Sequence, residues 1–213
     1  MKNLATVALA LLMIGPSVVF SQDAEPLRSE FRAAMNKSAA LTANASYRNK
    51  ATVEMGPTSA TTAWEPYSSR VVEFAYPDSS HIVHTSRIKG EFIQIGKVTY
   101  QTYQNGTWVQ SEVGKESPVT NPAAAIGVSG PNFEFSKPND GASDGRTTVF
   151  RIVKNPAPGT KDLETQVVTW TFWFDDTGIL FKHDSIAWNG SSWVRTTEVY
   201  EYDPSIKIEV PIN

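Results

Sequence analysis

Between Ile93 and Gln110 the chain packs two tight-turn signals among strand-like pieces, and little else. The stretch reads IQIGKVTYQTYQNGTWVQ. Gly96 stands first in a two-residue loop, where a positive φ suits glycine, and Asn105–Gly106 is the strongest short hairpin signal a sequence can carry. A loop at Gly96–Lys97 sets Ile95 opposite Val98 and Ile93 opposite Tyr100. A two-residue loop at Asn105–Gly106 sets Tyr103 opposite Trp108 and Thr102 opposite Val109. On that register Ile93, Ile95, Val98, Tyr100 and Val109 share one face, while Gln94, Thr99, Gln101, Gln110 and the Tyr103–Trp108 pair occupy the other. A chain that turns back twice this tightly is committed to antiparallel sheet with one apolar side.

The same grammar recurs along most of the sequence. SYRNKATVEM alternates, with Tyr47, Asn49, Ala51 and Val53 on one side and charged residues opposite. SRVVEFAY and SHIVHTS flank the turn PDS, TTVFRIVKN is a further strand, and DDTG is a turn with Gly178 in the left-handed position. A two-residue loop at Asn189–Gly190 sets Asp184 opposite Arg195. In WTFWF, Trp170, Phe172 and Phe174 point one way and Trp173 the other. One helix is expected, over DAEPLRSEFRAAMNKSAALTA. There Leu27, Phe31, Ala34, Met35, Ser38 and Leu41 recur at helical spacing, and Pro26 suits the first turn. Nine to eleven strands result, and so many must curl or close to avoid raw edges. The fold class is therefore mainly β with few helices: an unclosed antiparallel barrel with an amphipathic helix and a mid-chain cover on its concave side. That cover is 114–146, rich in Pro, Gly, Ser and Asn, with at most a short helix near Pro122–Ile126 and with Phe133 and Phe135 to bury.

Composition bounds the function. The chain has 213 residues, enough for one domain with a real core. Residues 1–21 pair Lys2 with an apolar run broken by Gly15–Pro16, which reads as a cleaved secretory signal; residues 22–213 form a single domain. Losing Lys2 makes the formal net charge of −3 one unit more negative, and no basic block exists, so nucleic acid is not expected as a partner. The sequence has no cysteine, hence no disulfide and no thiol to carry a lipid anchor; the expected location is a periplasm or the medium. Six Trp, seven Tyr and ten Phe are more aromatic surface than one helix and a thin cover can shield.

Catalytic machinery is not expected. His81 and His84 lie three apart on a strand and diverge, so they cannot share a metal. No nucleophile elbow, phosphate loop or dinucleotide fingerprint occurs. Asp175 and Asp176 are better explained by their turn than as an acid–base pair. No cofactor and no metal are expected.

The order of features is also familiar: signal, helix, YPDSSHIV, IGKVTYQTYQNGTW, a Pro-rich cover, FDDTGILFK and a closing VYEYDPSIKIEVP. It resembles the LolA-like and LppX/LprG-like superfamily of lipoprotein-localisation factors and exported lipid carriers. The resemblance spans most of 26–211. It implies an unclosed barrel whose hollow holds acyl chains or regulates a signalling partner; the arginine that latches the lid in carrier-type relatives has no identifiable counterpart here, Arg70 being a candidate by position only. The expected function is therefore a lipid- or lipoprotein-acyl-binding carrier. The alternative is a sensory or protein-interaction module of the same fold with the hollow self-plugged. The expected lining is Ile93, Ile95, Val98, Tyr100, Val109, Trp170, Phe172 and Phe174. The expected partners are a lipid or acylated protein and a membrane-associated donor or acceptor, with the chain a monomer. A fourteen-carbon chain leaving water contributes roughly 11 kcal/mol before ordering costs, so such a site needs no polar signature.

Overall fold

The structure is a computed structural model describing residues 24–85, 89–102, 106–112, 132–138, 147–156, 159 and 167–211. The expected signal segment and, within the expected cover, 114–131 and 139–146 lie outside the described residues. Helix α1 (Ala24–Leu41) is followed by β1 (Tyr47–Gly56), β2 (Glu65–Ala75), β3 (Ser79–Thr85), β4 (Lys89–Ile95), β5 (Val98–Thr102) and β6 (Trp108–Glu112). Then come β7 (Phe133–Ser136), β8 (Thr148–Lys154), β9 (Val168–Phe174), β10 (Leu180–Trp188) and β11 (Trp193–Tyr202). All eleven strands form one antiparallel sheet, ordered β6-β5-β4-β3-β2-β1-β11-β10-β9-β8-β7, which does not close into a barrel. Strands consecutive in sequence are neighbours throughout, except that β6 and β7 are the two rims and β1 pairs with β11.

Register assigns the faces. Rows of facing residues run across the sheet, and one reads Gly90–His84–Arg70–Ala51–Glu198–His183–Phe172–Phe150. Helix α1 lies on this side. Phe31, 2 % exposed, sits within ring-contact distance of Phe135 (6.0 Å), Phe150 (5.5 Å) and Phe172 (5.0 Å). Met35, Phe174 and Leu180 join that core, and Tyr47 and Tyr200 close its inner end. The inward stripe of α1 runs Leu27, Phe31, Met35, Ser38 and Thr42, so Thr42 takes the inner seat and Leu41 is exposed. The step from Phe31 to Thr42 is close to three whole helical turns, and the step to Leu41 is not.

The opposite face carries charge. Arg48 bonds Glu73 at 2.6 Å and lies 3.5 Å from Glu201, whose other oxygen takes Lys50 at 2.6 Å. Arg195 grips Glu54 at 2.6 Å and covers the Trp64 ring at 4.9 Å.

Three expectations need correction. The first turn is as read, with Ile95 opposite Val98 and Gly96 at φ 57°. The second pairing is slipped by one residue: Thr102 faces Trp108 and Gln101 faces Val109, leaving five residues between the strands. A slip of one flips every side chain, so Val109 leaves the face of Ile93, Ile95, Val98 and Tyr100. In the β10–β11 hairpin Asp184 faces Thr197, and Arg195 faces Ile186. The loop there holds four residues because Asn189 Oδ1 accepts the amides of Ser191 and Ser192, both at 3.0 Å. A slip of two keeps the faces. Finally, the expected cover contains β7, a strand of the sheet, whose Phe135 is buried against Phe31.

Candidate functional site

A trough runs along the helix-bearing face, outside the aromatic core. It exists because the middle strand and its neighbours carry small side chains there. Ala51 on β1 lies between Arg70 on β2 and Glu198 on β11, and Val53 lies between Ser68 and Thr196. These residues, with Ser69 and His84, enclose about 290 Å³. A second hollow of about 360 Å³ shares Val53, Ser68 and Ser69, and extends to Pro66, Tyr67 and Thr85. It lies where the β1–β2 register shifts between Val53 and Glu54, an irregularity that bends the strand.

A polar cluster separates trough from core. The Tyr200 hydroxyl donates to Glu198 Oε2 at 2.6 Å, and Asn49 Nδ2 donates to the same oxygen at 2.9 Å. Arg70 Nη2 reaches Glu198 Oε1 at 3.4 Å from two strands away, arching over Ala51, which is 3 % exposed. His183 completes the group, with Nδ1 3.9 Å from Glu198 and its ring stacked on Phe172 at 5.4 Å. Burial pushes the Glu198 pKa up, but hydrogen bonds from Tyr200 and Asn49 and the charges of His183 and Arg70 outweigh it, so the group stays below the usual carboxylate value. Burial pushes His183 down against the opposing pull of Glu198 and Asp184. Burial therefore favours the neutral imidazole, while Glu198 and Asp184 favour the charged one. Tyr200, buried beside the carboxylate, is raised well above the ordinary phenol value, and Tyr202 is raised by burial to about 12. Asn49 Oδ1 is buried with no partner among the described residues.

The expected lining residues do not meet in one hollow. Phe172 and Phe174 are 0 % and 1 % exposed beneath α1, and Trp170, on the same face, stacks on Phe133 at 6.2 Å. Ile93, Ile95, Val98 and Tyr100 share the opposite face, with Ile93 6 % exposed, and Val109 stands 48 % exposed on the rim strand. The trough residues were missed. Their signal lay in the alternations Tyr47-x-Asn49-x-Ala51-x-Val53 and Glu198-x-Tyr200-x-Tyr202, which place polar groups on the side that also carries the core. Among the described residues, no group of three His, Asp or Glu side chains is placed to hold a metal, and no helix is long and apolar enough to cross a membrane. Asp175 serves its turn: Oδ1 accepts from the amides of Thr177 at 3.0 Å and Ile179 at 2.9 Å.

No family model matches the chain, and no curated protein does. Among solved structures it is similar to the lipoprotein LppX of Mycobacterium tuberculosis, at 14% identity and TM-score 0.49, covering 85% of this chain and 99% of that one. LprF from Mycobacterium bovis is similar at 16% identity and TM-score 0.48, covering 87% and 98%. A DUF1329 family protein from Desulfovibrio piger is similar at 9% identity and TM-score 0.30, covering 84% and 94%.

Proposed function

We propose that the chain is an exported carrier that holds acyl chains, of a lipid or of an acylated protein, on the helix-bearing face of its sheet. The observation that carries this reading is the division of that face. The aromatic core beneath α1 draws on β7 to β11 and the start of β1, and on the β2 side it ends at Phe74. Beyond it the same face continues with apolar side chains, Val72, Ile82 and Phe92 in one row and Ala51 and Val53 in the trough beside it. Val53, Ile82 and Phe92 keep part of their surface exposed. Each methylene laid there gains roughly 0.8 kcal/mol from leaving water, so a chain of ordinary length binds without any catalytic group.

A self-filled interior is favoured at one place. Phe31 occupies the space over Phe150 and Phe172, so Phe172 and the equally buried Phe174 serve a ligand only if α1 moves. Under the carrier reading the working surface is the uncovered part, over β1 to β4.

Solvent extraction and mass spectrometry of protein purified from its native compartment test the reading. The expected result is about one acyl lipid per chain. Protein free of lipid, and unable to take up any acyl chain offered, defeats the carrier and leaves the self-plugged interaction module.

A further inference from the structure

Resting on the carrier reading, we propose that the trough takes the anionic head of a single-chain amphiphile, a carboxylate or a phosphate monoester, and that Arg70 selects it. Arg70 and His84 are register partners on the helix-bearing face; both are exposed, and both line the trough. Among the described residues no acidic side chain lines this hollow, and Glu54 lines the adjoining one. Ser68 and Thr196 flank Val53 in the adjoining row and add hydroxyl groups there. Apolar surface lies on either side of this polar row, Val72 and Ile82 on one and Val53 on the other. An amphiphile needs that juxtaposition, whereas a bare anion gains nothing from it.

Among the described residues Glu198 is the carboxylate that competes for the guanidinium, and it is already served. Its Oε2 holds two short hydrogen bonds, from Tyr200 and Asn49, whereas Arg70 stands 3.4 Å from Oε1. A charge-assisted N–H···O bond is normally about 2.7–2.9 Å long, so Arg70 gives up a weak contact when it turns to a ligand. Its planar fork then offers two parallel donors to a carboxylate or phosphate.

The test is calorimetric titration of the delipidated protein with laurate, dodecyl phosphate, 1-dodecanol and inorganic phosphate alone. Laurate and dodecyl phosphate are expected to bind at least roughly tenfold tighter than dodecanol. Arg70→Met should abolish that preference, and Arg70→Lys should keep part of it. The side chain is half-exposed, and an unaltered urea midpoint verifies that the variants fold. Equal affinities for the three chains, or a preference that survives Arg70→Met, overturns the proposal. Inorganic phosphate that displaces laurate at comparable concentration also overturns it, since the site then serves a free anion. If no dodecyl compound binds, dodecanol included, the carrier reading fails with it.

Discussion

The amide of Leu180 donates to the hydroxyl of Ser38 at 2.9 Å, tying the buried side of α1 to the first residue of β10. Leu180 sits where the β9–β10 register shifts, so its N–H depends on the helix rather than on the sheet ladder. Both residues are 0 % exposed. Ser38→Ala leaves a buried donor without a partner, which costs about 1–3 kcal/mol. Urea unfolding should show a lower midpoint with an unchanged slope.

Phe31 fixes the helix over the core. Phe31→Ala removes a ring packed on three others and should cost about 3–5 kcal/mol, a large part of a typical domain's stability. Phe31→Leu should cost much less. Amide exchange should rise along α1 and β7 before it rises in β1 and β2, because β7 is a rim strand that pairs with β8 and packs on the helix.

Acid sensitivity follows from the polar cluster. His183 has a folded pKa below the ordinary 6.5, so the unfolded chain binds more protons there. The stability it contributes is whole above pH 6.5 and is lost as pH falls from that value toward the folded pKa. Glu198 acts with the same sign in a lower window, below 4.5. Each proton contributes a slope of at most about 1.4 kcal/mol per pH unit. His183→Gln should flatten stability against pH just below 6.5, and Glu198→Gln should flatten only the more acidic limb. Denaturant midpoints measured from neutral to acid pH distinguish the two.

The two faces make different predictions for cargo. Val53→Asp puts a charge on the trough floor and should strip bound acyl chain by roughly tenfold or more. Ile95→Asp, part-buried on the opposite face, should leave lipid content unchanged in protein that folds. Lipid lost from the second variant but kept in the first would place the cargo on the wrong side of the sheet for this proposal. Phe172→Asp is a poor probe, since it charges a fully buried core position.

Strand alternation and helical spacing carried most of the architecture, because each reports directly which side faces apolar neighbours. Loop length escaped them. Gly96 with Lys97 forms the whole of its loop, so the register there followed from the sequence. Gly106 also has a positive φ, but five residues separate Thr102 from Trp108, and the extra odd residue moved Val109 across the sheet. Asn189 announces a turn, yet its side chain caps a longer loop through Ser191 and Ser192. β7 was hidden in Pro- and Gly-rich surroundings, with Phe133-x-Phe135 as its one trace. The site was hardest to see, because Asn49, Arg70, His183 and Glu198 come from four strands and only cross-strand register brings them together.

One seam joins two otherwise local assemblies. β1 through β6 form one run of successive hairpins and β7 through β11 another, and the pairing of β1 with β11 is what makes them a single sheet. Neither run can be knit to the other until Trp193–Tyr202 has been synthesised and, in an exported chain, delivered. The first half must therefore wait with Ala51 and Val53 unpaired on one flank, and one wall of the trough arrives only with the last strand. A product truncated before that strand lacks Thr196 and Glu198, and with them that wall and the carboxylate that faces Arg70.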